Sequence, residues 1–365
     1  ATGNFRMTET DVKVPGVSTM LSVSRTVNTL LASSNGSFGR GWTFPLDMRV
    51  RTDSDGNAFV VMPDGSEEFH GKNPDNSYSF ALGSGNTLVK DTAWRLTEPS
   101  GTQYAFDVTS GNLLSATDKA GRTLTSTWLN ATSQELKDQA SERSLVLTYA
   151  QPSGATRMHV VSVSTASVAA HGGALVWKYY YDADRLTKVC DPRDNAETGT
   201  CESYTYDSSS RLLTMTSVAG TEFVDLTYDG SGRVVTRKDS LNNAWAFTYV
   251  SPDPTVTSPT NNTFTVKRTT VTNPRSKATS YDFDDAYRLV HRVDALGAQR
   301  WYSYDAHGFV SQEINELGEV EQYVNDDQGN VLTRTDSAGH AWQSTFGTVE
   351  GGGATRYLLT TADPY

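Results

Sequence analysis

Cysteine is almost missing from this chain, with two in 365 residues. Two thiols cannot make a structural zinc site, which takes four ligands, and no histidine lies near them in sequence. Long apolar runs are missing too: no stretch approaches the 18 or so residues of a membrane span. Runs of Ala, Leu, Glu and Lys that would build helices are scarce, whereas there are 47 Thr and 29 Gly. Bases are outnumbered, 31 against 42 acids, for a net charge of −11. That balance argues against a nucleic-acid footprint or an anionic membrane surface. Only 37% of residues are apolar and mean hydropathy is −0.47, yet 10% are aromatic. A chain so rich in rings is not a disordered polymer. The expectation is an all-β protein with many turns. At 39.8 kDa the chain fits two or three domains, or one continuous repeat body. It opens Ala1-Thr2-Gly3-Asn4 with no basic, apolar leader, and so reads as a mature or excised segment, or a cytosolic one.

Ten polar, turn-rich residues separate Cys190 from Cys201. The residues leave two readings. One is a disulfide that closes a single loop and contributes about 2–3 kcal/mol; the other is a pair of free thiols in a reducing compartment. The disulfide is the expected state.

The dominant signal is a period of about 21 residues. Aromatic residues recur at Phe106, Trp128, Tyr149, Tyr181, Tyr206, Tyr228, Tyr249, Phe283, Tyr304 and Phe346, with Asn325 in the one vacant slot. The longer intervals hold insertions: Gln151 to Gly173, the cysteine loop, and Ser251 to Asn262. A second ring often stands two residues earlier, as at Tyr104, Tyr179, Tyr204, Phe247, Tyr281, Tyr302 and Tyr323. Positions i and i−2 of a strand share a face, so these rings line one side of a sheet. Asp follows most anchors and opens a turn, as at Asp107, Asp207, Asp229 and Asp326. A second turn comes about eleven residues past the anchor, at Asp118, Asp294, Asn315 and Asp336. Asp or Asn opens such turns by bonding main-chain N–H groups, and Gly closes them by accepting positive φ. Each unit is therefore a hairpin that must pair edge to edge with its neighbours. Thr132 to Arg143 has the composition of a helix, but one full period spans Trp128 to Tyr149. The period predicts strand there.

The units YYYDADRL, YTYDSSSRL, LTYDGSGRV, YDFDDAYRL and YSYDAHGFV resemble the YD repeats of the bacterial RHS family and of the teneurins, in eleven in-phase units from Phe106 to Phe346. Upstream, Asp11-Val-Lys-Val-Pro-Gly16, Leu21-Ser-Val-Ser-Arg25-Thr-Val-Asn28 and Phe38-Gly39-Arg-Gly41-Trp42 are similar to the segment that precedes those repeats. The resemblance implies antiparallel hairpins forming a curved ribbon or partial hollow β-shell. It divides the chain into a preceding segment (1–100), a repeat shell (101–346) and an irregular or truncated C-terminal strand (347–365). In that last part Tyr357 to Thr360 reads as a strand without a partner. The resemblance also implies a secreted or cell-surface protein, whose partners are a C-terminal toxin or cargo domain and further shell repeats. A cysteine pair inside a unit is similar to secreted actinobacterial members. The family's self-cleavage motif has no counterpart, since Asp363-Pro364 alone is too little, so no toxin or autocleavage residue carries over.

No catalytic, cofactor or metal site is expected. The histidines at 70, 159, 171, 291, 307 and 340 fall in no metal-binding motif. Asp53-Ser-Asp55-Gly56-Asn57 resembles the start of a calcium loop, but Ala58 and Asp64 stand where that loop needs Gly and Glu. A hairpin turn is the better reading. Carboxylates abound, but the recurrent Asp has a turn to hold and no pair stands out from the repeat. Trp94, Trp177, Trp245, Trp301 and Trp342 admit a possible cell-surface glycan as ligand, against the plainer role of a packing ladder. Trp301 alternates with Tyr302 and Tyr304 and points to the opposite face; if the anchor row lines the concave interior, Trp301 is on the outer surface. Three functions follow: a non-enzymatic shell segment, an adhesion module binding carbohydrate or protein, or a glycan-cleaving enzyme on a repeat scaffold. The first is preferred.

Overall fold

The structure, a computed structural model, describes residues 2–14, 21–166, 173–193, 199, 201–251, 253–349 and 353–362. No α-helix occurs among them. Thr132 to Arg143 obeys the period: Ser133–Asp138 is a strand paired on both sides.

Two three-stranded sheets come first, with a two-residue ladder, Asn35–Gly36 against Gly39–Arg40, beside them in sequence. Arg6–Lys13, Ser22–Asn28 and Trp42–Thr43 form one; Arg49–Thr52, Ala58–Val61 and Glu67–His70 form the other. From Thr87–Lys90 onward every main strand joins its sequence neighbour in one antiparallel sheet of twenty-four strands. The sheet closes, with the last strand, Gly353–Ala362, beside the first. Tyr357 to Thr360 therefore has partners, and the expectation of a lone strand is corrected. It pairs along Ala341–Val349. A closed sheet has no edge to leave unsatisfied.

Both turns of a unit share one geometry. Asp207 Oδ1 accepts from the N–H of Ser209 and of Arg211, each at 2.9 Å. Asp294 Oδ1 does the same for Leu296 and Ala298, at 2.8 and 3.0 Å. The fourth residue takes positive φ: Gly232 at 80°, and less comfortably Ser210 at 62° and Tyr287 at 59°.

The hairpin Thr255–Thr257 with Thr263–Thr265 stands outside the closed sheet. It comes from the insertion after Tyr249, and Thr260 Oγ1 donates to Gln312 Oε1 at 3.2 Å. The main core packs Val12, Leu21, Val23, Val27, Phe38, Trp42 and Phe44 of the N-terminal segment against Leu145, Leu147, Tyr179, Leu186, Tyr204 and Leu226 of the sheet. Part of one face of the sheet is thus covered by the chain's own beginning. A smaller core joins the second small sheet to Leu88, Trp94, Leu96 and Phe106.

Candidate functional site

The repeat works as an interlock between units. Most anchor strands meet a register shift, so Tyr206 faces Leu212, Tyr228 faces Val234, and Tyr304 faces Val310. A bulge disrupts the ladder locally, and a buried carbonyl without a partner is costly. The next anchor supplies a donor there. The hydroxyls of Tyr206, Tyr249 and Tyr304 donate to the carbonyls of Leu186, Val234 and Leu289 at 2.6, 2.6 and 2.7 Å, and Tyr228 does so to Leu212. Burial pushes the Tyr206 and Tyr228 phenols above their usual range, which keeps them protonated as donors. Asn325, in the vacant slot, fills the same role through Nδ2, 2.9 Å from the Val310 carbonyl.

Asp and Arg complete the lock. Arg211 donates Nε to Asp207 at 2.7 Å, and its guanidinium carbon lies 4.6 Å from the centre of the Tyr228 ring. Arg233 repeats this with Asp229 and Tyr249, and Arg288 with Asp284 and Tyr304. In these three units the motif's Asp, Arg and Tyr are consumed in joining one unit to the next.

Most expected anchors take this place. Phe106 and Tyr149 are buried, while Tyr181, Tyr206, Tyr228, Tyr249, Phe283, Tyr304 and Phe346 are partly buried. Trp128 is a correction, being 50% exposed. Its strand leads into a tight Asn130-Ala-Thr132 turn rather than an Asp turn, and its ring leans on Tyr149 at 5.0 Å. Trp301 is a second correction, at 7% exposed. It does use the face opposite the anchors, but His291 stacks on it at 3.6 Å, and Pro259 of the inserted segment lies beside it. Trp94 is buried against Tyr78, and Trp177, Trp245 and Trp342 are partly buried. Cys190 and Cys201 are bonded to each other.

His291 and His159 are each held by a buried carboxylate. His291 Nδ1 is 2.8 Å from Asp282, which also takes Nε and Nη2 of Arg268 at 2.6 and 2.7 Å. His159 lies between the Gly36 carbonyl at 3.2 Å and Asp184 at 2.9 Å. Burial alone would raise the Asp184 carboxyl, but bonds from His159 and Thr156 outweigh it and hold it well below the carboxylate range. His171 and Asp363-Pro364 lie outside the described residues. Asp53 Oδ1 accepts from the N–H groups of Asp55 and Asn57 at 3.0 and 2.9 Å, as a turn residue does.

A buried cluster was not foreseen. Arg25, fully buried, donates Nη2 to Tyr204 at 2.7 Å and pairs with Asp11. Glu202 lies 3.5 Å away, and the Tyr179 hydroxyl donates to Asp11 at 3.0 Å. Asp11 sits at a register shift in its strand, which turns its carboxylate toward Arg25. The alternation Val23-Ser-Arg25-Thr-Val27 was the available signal, since it puts Arg25 on the same face as two buried valines. Beside it, Phe38 packs on Tyr179 and Trp42 on Tyr204. Gly39, at φ +92°, brings its backbone so near Asp184 that a Cβ would lie 2.5 Å from that carbonyl.

Residues 1–69 match the family model described as domain of unknown function (DUF6531). The chain is 32% identical over 77 residues to the probable deoxyribonuclease RhsB of Dickeya dadantii. Both similarities point to the RHS/YD-repeat family. The match takes in 21% of this chain and 5% of the relative, so the chain is far shorter than the protein it matches. Among solved structures, TcdB2-TccC3 without its hypervariable C-terminal region superposes at TM-score 0.40 with 11% identity, covering 92% of this chain and 21% of that one. The Photorhabdus luminescens Tc holotoxin pore gives 0.39 and 10%, with the same coverage. Superpositions this loose transfer no residue and no role. No described helix is long and apolar enough to cross a membrane.

Proposed function

We propose that this RHS chain is a non-enzymatic wall segment of a secreted or cell-surface β-shell, which encloses or presents a cargo carried elsewhere on a longer protein. The division into a preceding segment (1–100), repeats (101–346) and a terminal strand (347–365) is part of the proposal. One observation carries it: the motif's Asp, Arg and Tyr are spent on fastening consecutive hairpins into a closed wall. A disulfide between Cys190 and Cys201 suits an oxidising compartment.

The test has two arms. In the full-length parent protein, limited proteolysis should spare the polypeptide beyond residue 365 while the wall is folded, and digest it once the wall is unfolded by urea. The purified segment should show no glycan, peptide or DNA cleavage. Turnover abolished by one carboxylate substitution in this segment would defeat the reading, and so would equal digestion of the cargo with and without the folded wall.

A further inference from the structure

After Tyr249 the first turn is replaced by the inserted excursion, so no closing arginine precedes Phe283. Among the described residues no cation is stacked on the Phe283 ring, unlike those of Tyr228, Tyr249 and Tyr304. A cavity of about 300 Å³ lies there. Phe247, Tyr249, Tyr281 and Phe283 wall it on the sheet side, and Phe5 of the N-terminal segment borders it. Two of the residues that line it each carry a buried polar atom without a partner. Thr269 is 6% exposed and its hydroxyl bonds to nothing; Arg237 buries an Nε that bonds to nothing. The Arg237 guanidinium is held 5.5 Å from the Trp245 ring centre and 5.9 Å from that of Phe5. No acidic side chain lines the space.

These facts narrow the ligand. Arg237 repels a cation. A wholly apolar guest would leave the guanidinium and the hydroxyl desolvated and unpaired, which is costly. An anion with a flat apolar body satisfies both, because Arg offers directed N–H donors to a carboxylate and aromatic walls accept a ring in offset or edge contact. We infer that this cavity is a binding site for a small aromatic carboxylate, with the carboxylate on Arg237 and Thr269 and the ring among Phe247, Tyr281 and Phe283. The volume is at the low end for ligand pockets and suits one ring with a short side chain.

Isothermal titration of the purified chain with 3-phenylpropionate tests this, with 3-phenylpropanol as the neutral analogue. Saturable binding of the acid, about tenfold or more tighter than the alcohol, is expected. No saturable binding of the acid, or equal affinity for the two, overturns the site. Arg237→Gln should weaken the acid by about tenfold or more and leave the circular dichroism spectrum unchanged; acid binding equal to wild type overturns the proposal. Should that variant not fold, Val271→Trp, which fills the cavity, is read instead, and retained binding overturns the site.

Discussion

Arg25 donates Nε and Nη2 to the two carboxylate oxygens of Asp11, at 2.6 and 2.8 Å, with almost no access to water for either side chain. The pair stitches the first strand to the second and, through Tyr179 and Tyr204, to the repeat wall. Removing one partner leaves a buried charge unpaired. Arg25→Met alone should therefore destabilise the fold by about 3–5 kcal/mol, and Arg25→Met with Asp11→Leu should recover much of that loss. Urea denaturation of both variants checks this; a single substitution no worse than the double would refute it.

Glu9 gives the same region a pH dependence. Burial, with Glu202 next, pushes its carboxyl up to about 7, against 4.5 for the free side chain. The folded state therefore holds the proton more tightly, and this contribution is full below pH 4.5 and lost as pH rises through 7. The urea midpoint should fall across that window in the native protein and fall less in Glu9→Gln. An unchanged slope in the variant would show that Glu9 is not responsible.

The tyrosine lock predicts a graded series. Tyr304→Phe removes one donor from the Leu289 carbonyl and should cost about 1–3 kcal/mol. Tyr304→Ala also empties the ring's place and should cost about 3–5 kcal/mol. Asn325→Leu, which strips the donor from Val310, should resemble the Phe variant. Chemical denaturation ranks the three, and a harmless Asn325→Leu would show that the carbonyl does not need its donor.

Reduction of Cys190–Cys201 should lower stability by about 2–3 kcal/mol, the value for a loop of this length. Intact mass before and after alkylation without reductant reports the bond directly: two modified thiols would sink the assignment.

Trp301 should be shielded by the inserted hairpin rather than by the sheet alone. Replacing residues 253–265 with a short Gly-Ser link should raise acrylamide quenching of Trp301 fluorescence, measured in a chain where the other tryptophans are Phe. Quenching that stays unchanged would mean that the hairpin is not the cover.

The period, both turns and the strand at Ser133–Asp138 were legible because each depends on residues close in sequence: an Asp, a Gly three places on, a ring at every 21st position. The Tyr hydroxyls could be expected to find partners, but not which ones, since the acceptor is a carbonyl about 15 to 20 residues back at a bulge. Asn325 read as a vacancy, although it performs the missing tyrosine's task. Arg25 read as a motif letter, because its partners lie 14 and 179 residues away. The placement of Trp301 on the face opposite the anchors followed from strand alternation. Its burial depends on an insertion folding back, which no local pattern announces.

Because each unit gives a carbonyl and an arginine forward and receives a tyrosine, the join between units has a direction, like links that hook one way. A wall built so can gain or lose material only in whole cassettes of about 21 residues. A half cassette would leave a hook without its eye and would turn every later strand to the wrong face. The girth of the closed sheet is consequently quantised, changing by two strand widths, about 10 Å, per cassette. Duplication of one segment of the gene would enlarge the closed sheet by one such step without a new joint having to be invented.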